Sequence, residues 1–347
     1  MALTVLSAAF PLAPVGPDAV GGAEQVLSRL DAALAVRGDR SIVVACEGSR
    51  TAGRLVSTPA ATPPFDEAVV AEAHALQRTA IEGVLASTPV DLVHMHGVYF
   101  FRALPPPGTP VLATLHLPPA FYPAGVFTPS RPRTYLNCVS ASQRRACPQG
   151  AAIAATIENG VEIPQREPPH AIRDYALAMG RICPEKGFHL AIAAAQKARL
   201  PLLIAGRVYP FPAHVEYFRH EIKPHLDAGV RFIGPIAHAR KARLLRAARC
   251  LLVPSLVAET SSLVAMEALA CGTPVIALRS GALPDIVEHG RTGYIVDDER
   301  GMAEAMHAVT AIDRAACREA ARRRFALPRM IEDYLALYAR VIAKAPH

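Results

Sequence analysis

The second half of the chain alternates short apolar runs with helix-like segments in strict order. Six runs of four or five core residues, each ended by glycine, proline or a polar residue, lie at 175–180, 201–206, 230–235, 249–255, 273–278 and 293–298. They do not alternate apolar with polar residues, so both faces of each predicted strand are covered. Helix-like segments, including 241–249 and 261–272, separate the runs. Strand and helix in alternation predict a parallel, doubly wound sheet.

The first half repeats this plan less regularly. An amphipathic helix is predicted at 21–38, and we expect strands at 3–8, 41–46, 90–95, 110–115, 135–139 and 152–157. The apolar stripe of that helix consists of Ala23, Val26, Leu27, Leu30 and Leu34. Each half is therefore predicted to form its own Rossmann-like domain.

The domain boundary is predicted in a polar, proline-rich segment at 161–174, which is typical of a linker. A first domain over 1–165 and a second over 172–327 agree with a length of 347 residues. A last amphipathic helix lies in 328–347, and whether it packs back onto the first domain stays open. The predicted fold class is α/β, with two doubly wound domains that face each other across a cleft. In such sheets, ligands bind beyond the carboxyl ends of the strands.

Charge and composition restrict the class of partner. Lysine and arginine exceed aspartate and glutamate to give a net charge of +7. This modest excess suits nucleotides, phosphosugars or an acidic lipid surface, and solubility charge is the alternative interpretation. Tryptophan is absent and basic residues do not alternate with aromatic ones, so nucleic acid is not predicted as a partner.

The chain is predicted to work in the cytoplasm. It contains no clean apolar run of 18 residues, so we expect no membrane span. The segment 1–14 lacks a positive first region, which favours a buried first strand over a signal peptide. The seven cysteines are odd in number and form no C-x-x-C pair, which indicates a reducing compartment and no zinc site.

Two glutamates lie in the most apolar stretch of the chain, 254–277. Glu259 follows a predicted strand, and Glu267 lies eight residues later, about two turns along the next predicted helix. Thr260, Ser261 and Ser262 are candidates to cap that helix, whose free N–H groups at 261–264 form an anion site. The pattern is compatible with a nucleotide-sugar site. The structural alternative is ion pairing with nearby arginines.

A second cluster, GRICPEKG, occupies 180–187. Arg181 and Lys186 bracket a tight turn at the end of a predicted strand, where two cations suit a diphosphate. A solvated loop is the alternative.

In the first half, GGAE (21–24) opens the long helix, and its glycines let a ligand approach the helix N-terminus. No dinucleotide fingerprint follows any predicted strand, which disfavours a nicotinamide-dependent oxidoreductase. His96 and His116 lie at strand ends, where a lone histidine is more often a structural hydrogen-bonding group than a catalyst. His94 and His96 lack further ligands, so no metal is predicted.

Taken together, these motifs resemble the retaining glycosyltransferases of family 4, which have the GT-B fold. The resemblance covers nearly the whole chain and rests on the E-x7-E pair Glu259 and Glu267 and on the GR-x-x-PEKG turn. EALACGTPVIA and GALPDIVEHGRTGYIVDD continue in the family's order in the second half. GGAE, HMHG, TLH, VSASQRR and IENGVE do so in the first.

The resemblance implies a role for each site residue. Arg181 and Lys186 would neutralise the donor diphosphate in place of a metal, Glu267 would bind the ribose, and Glu259 would contact the transferred sugar. Backbone N–H groups near Ser262 and Leu263, with Gly22, would approach the phosphate. Gly234, Pro235 and Ile236 would lie against the base, and His116 would contact the sugar near the reacting carbon.

The implied reaction moves a sugar from a nucleotide-diphosphate sugar to an acceptor, with no cofactor. The acceptor stays open between a lipid-linked glycan, a growing polysaccharide and a small molecule. The basic excess is compatible with peripheral membrane contact.

Two departures from the family pattern matter. ETSS stands at 259–262 where the family often has EGFG or EPFG, and Arg207 directly follows Gly206. The ETSS change keeps a catalytically degenerate nucleotide-sugar-binding protein as one alternative. A GT-B nucleotide-sugar epimerase is the other, although the sequence shows no trace of the catalytic carboxylate pattern of that class.

Overall fold

The computed structural model describes residues 2–165 and 171–343. The chain divides into two compact units. The N-terminal unit comprises Met1–Glu158 and Met330–His347, and the C-terminal unit comprises Asn159–Arg329. Part of the predicted linker, 166–170, and the end of the predicted last segment, 344–347, lie outside the described residues.

The N-terminal unit contains a seven-stranded sheet in which every neighbouring pair is parallel. Its strands are β1 (Thr4–Ala8), β2 (Arg40–Cys46), β3 (Arg54–Thr58), β4 (Leu92–Met95), β5 (Val111–Leu115), β6 (Thr134–Cys138) and β7 (Ile153–Thr156). Their order is β3-β2-β1-β4-β5-β6-β7. The helices are α1 (Gly22–Arg37), α2 (Glu67–Ser87) and α3 (Ala141–Ala146). The sequence predicted six of these strands and α1, but not β3, α2 or α3.

The C-terminal unit contains a six-stranded parallel sheet. Its strands are β8 (Ala176–Arg181), β9 (Leu202–Arg207), β10 (Val230–Phe232), β11 (Cys250–Val253), β12 (Val275–Leu278) and β13 (Gly293–Val296). All six coincide with the predicted apolar runs. The helices are α4 (Phe188–Ala198), α5 (Pro212–Tyr217), α6 (His238–Ala247), α7 (Leu263–Ala270), α8 (Leu283–Ile286), α9 (Glu299–Ala308) and α10 (Arg314–Phe325).

The strand order fixes where ligands bind in the C-terminal sheet. In the order β10-β9-β8-β11-β12-β13, the chain leaves β8 toward one edge and returns to build the other edge from β11. The carboxyl ends of β8 and β11 are thus the topological switch point, where open α/β sheets bind their ligands. Arg181 is the last residue of β8, and the loops after β8 and β11 carry Lys186 and Glu259, so these three candidates lie at the switch point.

Residues 159–165, which the sequence assigned to the first domain, belong to the C-terminal unit. Val161 forms an isolated parallel bridge with Ala326. Its N–H donates to Phe325 O at 2.8 Å, and its carbonyl accepts from Leu327 N at 2.9 Å. These bonds hold the segment beside the end of α10.

The last helix, α11 (Leu327–Ala343), packs within the N-terminal unit from Met330 onward. Its buried residues are spaced as in an amphipathic helix, and they are Met330, Tyr334, Leu337, Tyr338 and Val341. Tyr334 and Tyr338 are the largest fully buried side chains among the described residues. Within residues 2–165 and 171–343, none of the helices has the length and apolar character needed to cross a bilayer.

Candidate active site

The turn after β8 contacts the loop after β11 at the switch point. Pro184–Lys186 forms a 3-10 turn that Gly187 closes with a φ of +61°. A Cβ atom at Gly187 would lie 2.1 Å from Pro254 O, so only glycine allows this approach. Leu256 N also donates to Glu185 O at 2.9 Å. The backbone thus holds Lys186 against the loop that carries Glu259.

Glu259 is buried and forms an ion pair across these loops. Its Oε1 accepts from Lys186 Nζ at 2.5 Å and from Ser255 Oγ at 2.5 Å. The Glu259 side chain is 8% exposed and that of Lys186 is 27% exposed. Its backbone is fixed as well, since Glu259 O accepts from Ala282 N at 2.7 Å. The structure therefore offers a half-exposed lysine whose carboxylate partner is held in place.

Glu267 forms a second ion pair, with a lysine that the sequence analysis missed. Its Oε1 accepts from Lys241 Nζ at 2.7 Å, and the two side chains are 9% and 16% exposed. Lys241 lies on α6, which follows the predicted base contacts at 234–236. The sequence signal that could have identified Lys241 is the run of basic residues in the first turn of α6. The structural alternative predicted ion pairs with arginines, but Glu259 pairs with Lys186 and Glu267 pairs with Lys241.

Helix α7 begins later than the sequence predicted. Its first residue is Leu263, so Glu267 lies one turn into the helix rather than two. Glu259 O is bonded to Ala282 and is not available for an intrahelical bond, whereas Ser262 O accepts from Met266 N at 3.1 Å. Ser262 occupies the N-cap position in an extended conformation, but its side chain makes no capping hydrogen bond. The ETSS segment thus leaves the hydroxyl of Ser262 unused for capping.

The remaining predicted donor residues lie beside β8 and β9. Gly234 adopts a φ of +68°, and its carbonyl accepts from Gly206 N at 2.9 Å. Pro235 is exposed and Ile236 is half-buried. Arg181 and Arg207 are partners in register at the ends of β8 and β9. Arg207 is exposed, with its guanidinium carbon 5.9 Å from the centroid of the Tyr209 ring.

In the N-terminal unit, Gly22 is the exposed first residue of α1. Gly21 is its N-cap, and no side chain caps the helix there. Glu24 is buried in the first turn of the helix. A Cβ atom at Gly21 would overlap the Glu24 carboxylate, so this carboxylate lies beside the start of the helix at the predicted phosphate approach.

The three predicted histidines of this unit form one hydrogen-bonded chain. His116 Nε2 lies 3.1 Å from His96 Nδ1, and His96 Nε2 lies 3.1 Å from His94 Nδ1. Burial lowers the pKa of the His116 imidazole to about 4 and holds the pKa values of His94 and His96 well below their usual range. His116 is therefore a neutral hydrogen-bonding group at pH 7.

The C-terminal helix completes this chain. Tyr338 OH lies 2.7 Å from His94 Nδ1, and Thr114 Oγ1 lies 2.8 Å from His94 Nε2. Tyr334 OH accepts from Asn137 Nδ2 at 3.1 Å and lies 3.2 Å from Thr114 Oγ1. Two tyrosines of α11 thus provide hydrogen-bond partners for polar groups in the sheet interior.

Comparison with known proteins accounts for both units. A family model described as Glycosyltransferase Family 4 matches residues 20–162, and one described as Glycosyl transferases group 1 matches residues 173–311. The chain belongs to glycosyltransferase family 4. The matched ranges contain every predicted site residue of this family 4 chain.

Curated relatives match over a shorter stretch. D-inositol 3-phosphate glycosyltransferase of Corynebacterium efficiens is 37% identical over 127 residues, which are 34% of the family 4 chain and 30% of that relative. The Corynebacterium glutamicum protein of the same name is 35% identical over 143 residues, 39% and 34% of the two chains. The alignment thus spans about a third of the length of each relative.

Solved structures match over the whole family 4 chain. AviGT4, a glycosyltransferase involved in avilamycin A biosynthesis, is 25% identical with a TM-score of 0.72, and the match covers 99% of both chains. Sucrose-phosphate synthase of Thermosynechococcus elongatus is 22% identical with a TM-score of 0.80, covering 99% of this chain and 100% of that one. The fold is GT-B, as the sequence predicted.

Proposed function

We propose that the protein is a retaining glycosyltransferase that moves a sugar from a nucleotide-diphosphate sugar to an acceptor hydroxyl. The observation that carries the proposal is the pair of buried glutamates, each held by a lysine, with Glu259 and Lys186 on the two loops of the switch point. Family membership supports the same chemistry.

In this proposal, each part of the nucleotide-sugar donor contacts a specific residue or segment of the protein. Arg181 and Lys186 neutralise the diphosphate, and the N–H groups of Ser262 and Leu263 bind its oxygens. Glu267 accepts from the ribose hydroxyls and Glu259 from the transferred sugar. The proposed base contacts are 234–236. Gly22 and His116 are the proposed contributions of the N-terminal unit to the phosphate and the sugar.

The proposed reaction is a front-side displacement. The acceptor oxygen bonds to the anomeric carbon while the bond from that carbon to the diphosphate oxygen breaks, on the same face of the sugar. The acceptor proton passes to the departing phosphate oxygen. Negative charge grows on the diphosphate, so stabilisation by Arg181 and Lys186 is the main contribution of the protein. Retained anomeric configuration in the product, measured by NMR, is the expected stereochemical result.

Glu267→Ala is expected to weaken donor binding by roughly tenfold or more, because a charged hydrogen-bond acceptor for the ribose is lost. Thermal shift and titration calorimetry with uridine, guanosine and adenosine diphosphates, their sugars and NAD measure the effect. Crystal structures of Anabaena Alr3699/HepE, which is 18–19% identical, are complexes with UDP, UDP-glucose or UDP and glucose, so uridine diphosphate comes first in the panel.

Glu304→Ala is the matched control, since Glu304 forms an exposed ion pair with Arg300 on α9. Unchanged donor affinity in Glu267→Ala would contradict the proposed ribose contact. A shift with NAD alone would overturn the proposed function. Donor binding without release of the nucleoside diphosphate would favour the degenerate binding protein.

Chelation is expected to leave turnover unchanged, because two cationic side chains take the place of a metal at the diphosphate. The measurement is the rate of nucleoside diphosphate release before and after EDTA treatment. A clear loss that a divalent ion restores would refute the metal-independent mechanism.

A further inference from the structure

The C-terminal unit contains a cluster of three metal-ligating side chains that the proposed reaction does not use. Cys183 Sγ, a Glu185 carboxylate oxygen and a His214 ring nitrogen all lie within 4.8 Å of one another. Sequence reasoning predicted no zinc site because no C-x-x-C pair exists. The fold brings together ligands from two separate segments, the turn after β8 and helix α5.

Two atoms of this cluster are buried without a hydrogen-bond partner in the described structure, namely Glu185 Oε2 and His214 Nδ1. The His214 residue is only 9% exposed, and Cys183 is fully buried. A buried polar atom without a partner costs on the order of 1–3 kcal/mol. An ion that both atoms coordinate would remove this cost.

The backbone holds the cluster in place on both sides. Glu185 O accepts from Leu256 N at 2.9 Å and from Ser255 Oγ at 3.4 Å. His214 lies on α5, where its N–H donates to Phe211 O at 3.0 Å and its ring packs 5.1 Å from the Phe211 ring. The three side chains therefore converge from fixed positions.

We propose that Cys183, Glu185 and His214 form a binding site for a zinc-class divalent ion, with water as the fourth ligand. Thiolate, imidazole and carboxylate are the donor set that Zn²⁺ prefers. At zinc–ligand distances of about 2.0–2.3 Å, tetrahedral ligand atoms lie roughly 3.5 Å apart. The ligand atoms lie within 4.8 Å of one another, so the longest separation must shorten by about 1.3 Å to satisfy this geometry. The thiolate and carboxylate also balance the charge of the ion.

The proposed metal site and the candidate active site are neighbours, because they use consecutive residues, Glu185 and Lys186. Glu185 points into the cluster, while Lys186, the next residue, pairs with Glu259. A bound ion would not contact the donor, and the close approach of Gly187 to Pro254 with the Leu256–Glu185 hydrogen bond already holds the Lys186 turn, so removal of the ion is expected to leave Lys186 in place. The ion is thus proposed as a ligand of the fold, separate from the transfer reaction.

Cobalt is the probe that tests the site, because Co²⁺ bound by a thiolate in a tetrahedral site absorbs strongly in the visible and near-ultraviolet. The reduced, metal-stripped full chain is titrated with Co²⁺ in mildly alkaline buffer, and Zn²⁺ then displaces the probe. We expect one equivalent to bind with a sulfur-to-cobalt charge-transfer band. Zn²⁺ is expected to raise the melting temperature of the wild type, and the increase should grow with the Zn²⁺ concentration because the ion binds the folded state.

Cys183→Ser is expected to abolish the charge-transfer band. Glu185→Gln and His214→Gln leave the buried thiol in place and are expected to weaken binding beyond the roughly 10–100-fold that outer-shell partners contribute. Cys317→Ser, at another buried thiol, and His307→Gln, at an exposed histidine, are matched controls that keep the band. The proposal would be overturned if no band appears at saturating Co²⁺, or if Glu185→Gln and His214→Gln both bind Co²⁺ with the wild-type affinity. Water would then be the expected occupant of the cluster.

Discussion

Lys186→Ala is expected to lower kcat for release of the nucleoside diphosphate by about 10²–10³. Lys186 is the half-exposed cation at the switch point, fixed by Glu259 at 2.5 Å and by the Gly187 turn. Its charge is available where the leaving diphosphate becomes more negative, so its loss should affect turnover more than donor affinity. Steady-state and single-turnover rates of diphosphate release separate the two effects.

The same substitution leaves the buried Glu259 carboxylate without its lysine, so stability must be measured in parallel. The double variant Lys186→Ala/Glu259→Gln removes both charges, and we expect it to regain thermal stability but not turnover. Lys197→Ala is the matched control, since Lys197 pairs with Glu299 on an exposed surface of the same unit. A folded Lys186→Ala variant that releases diphosphate at the wild-type rate would show that the site is misplaced.

Acid is expected to unfold the N-terminal unit cooperatively before the pH falls to about 4. Burial lowers the pKa values of His74 and His116 to about 4, with Arg102 adding to the effect at His74. An unfolded histidine titrates near 6.5, so the unfolded state binds more protons between about pH 6.5 and 4 and stability falls as the pH falls. Each such histidine costs about 3 kcal/mol by pH 4, against a typical net stability of about 5–15 kcal/mol.

Circular dichroism across a pH series measures this transition, and His74→Phe tests its cause. The His74 ring packs 6.3 Å from Phe10 and 5.8 Å from Tyr99, an aromatic setting that a phenyl ring suits. His74→Phe should therefore move the acid midpoint to lower pH, whereas His225→Phe, at an exposed position, should not. An acid midpoint that is the same in wild type and His74→Phe would contradict this account.

The parts of the fold that sequence reasoning missed share a physical reason. Strands buried on both faces appear as continuous apolar runs, and twelve such runs were predicted. Strand β3 lies at the edge of its sheet with partly exposed residues, so RLVST lacks that signal. Helix α2 buries the polar residues His74 and Gln77 together with apolar ones, so its buried face does not appear in the sequence as a continuous apolar stripe.

The part of the candidate site that lies at the carboxyl ends of strands could be predicted from the sequence. Arg181, Lys186 and Glu259 follow predicted strands, and the rule for parallel sheets brings such residues to one edge. The ion-pair partners were not predictable by that rule. Lys186 is 73 residues from Glu259, and Lys241 is 26 residues from Glu267, separations that no local pattern connects. The metal-ligand cluster was hidden for the same reason.

The return of α11 to the N-terminal unit has a consequence for biosynthesis. A ribosome that has completed residues 1–158 has made every strand of the first sheet, but His94, Thr114 and Asn137 still lack their tyrosine partners. Tyr334 and Tyr338 are added only after the whole C-terminal unit has been translated. The hydrogen bonds that these buried groups make with Tyr334 and Tyr338 can therefore form only after the second unit has been synthesised.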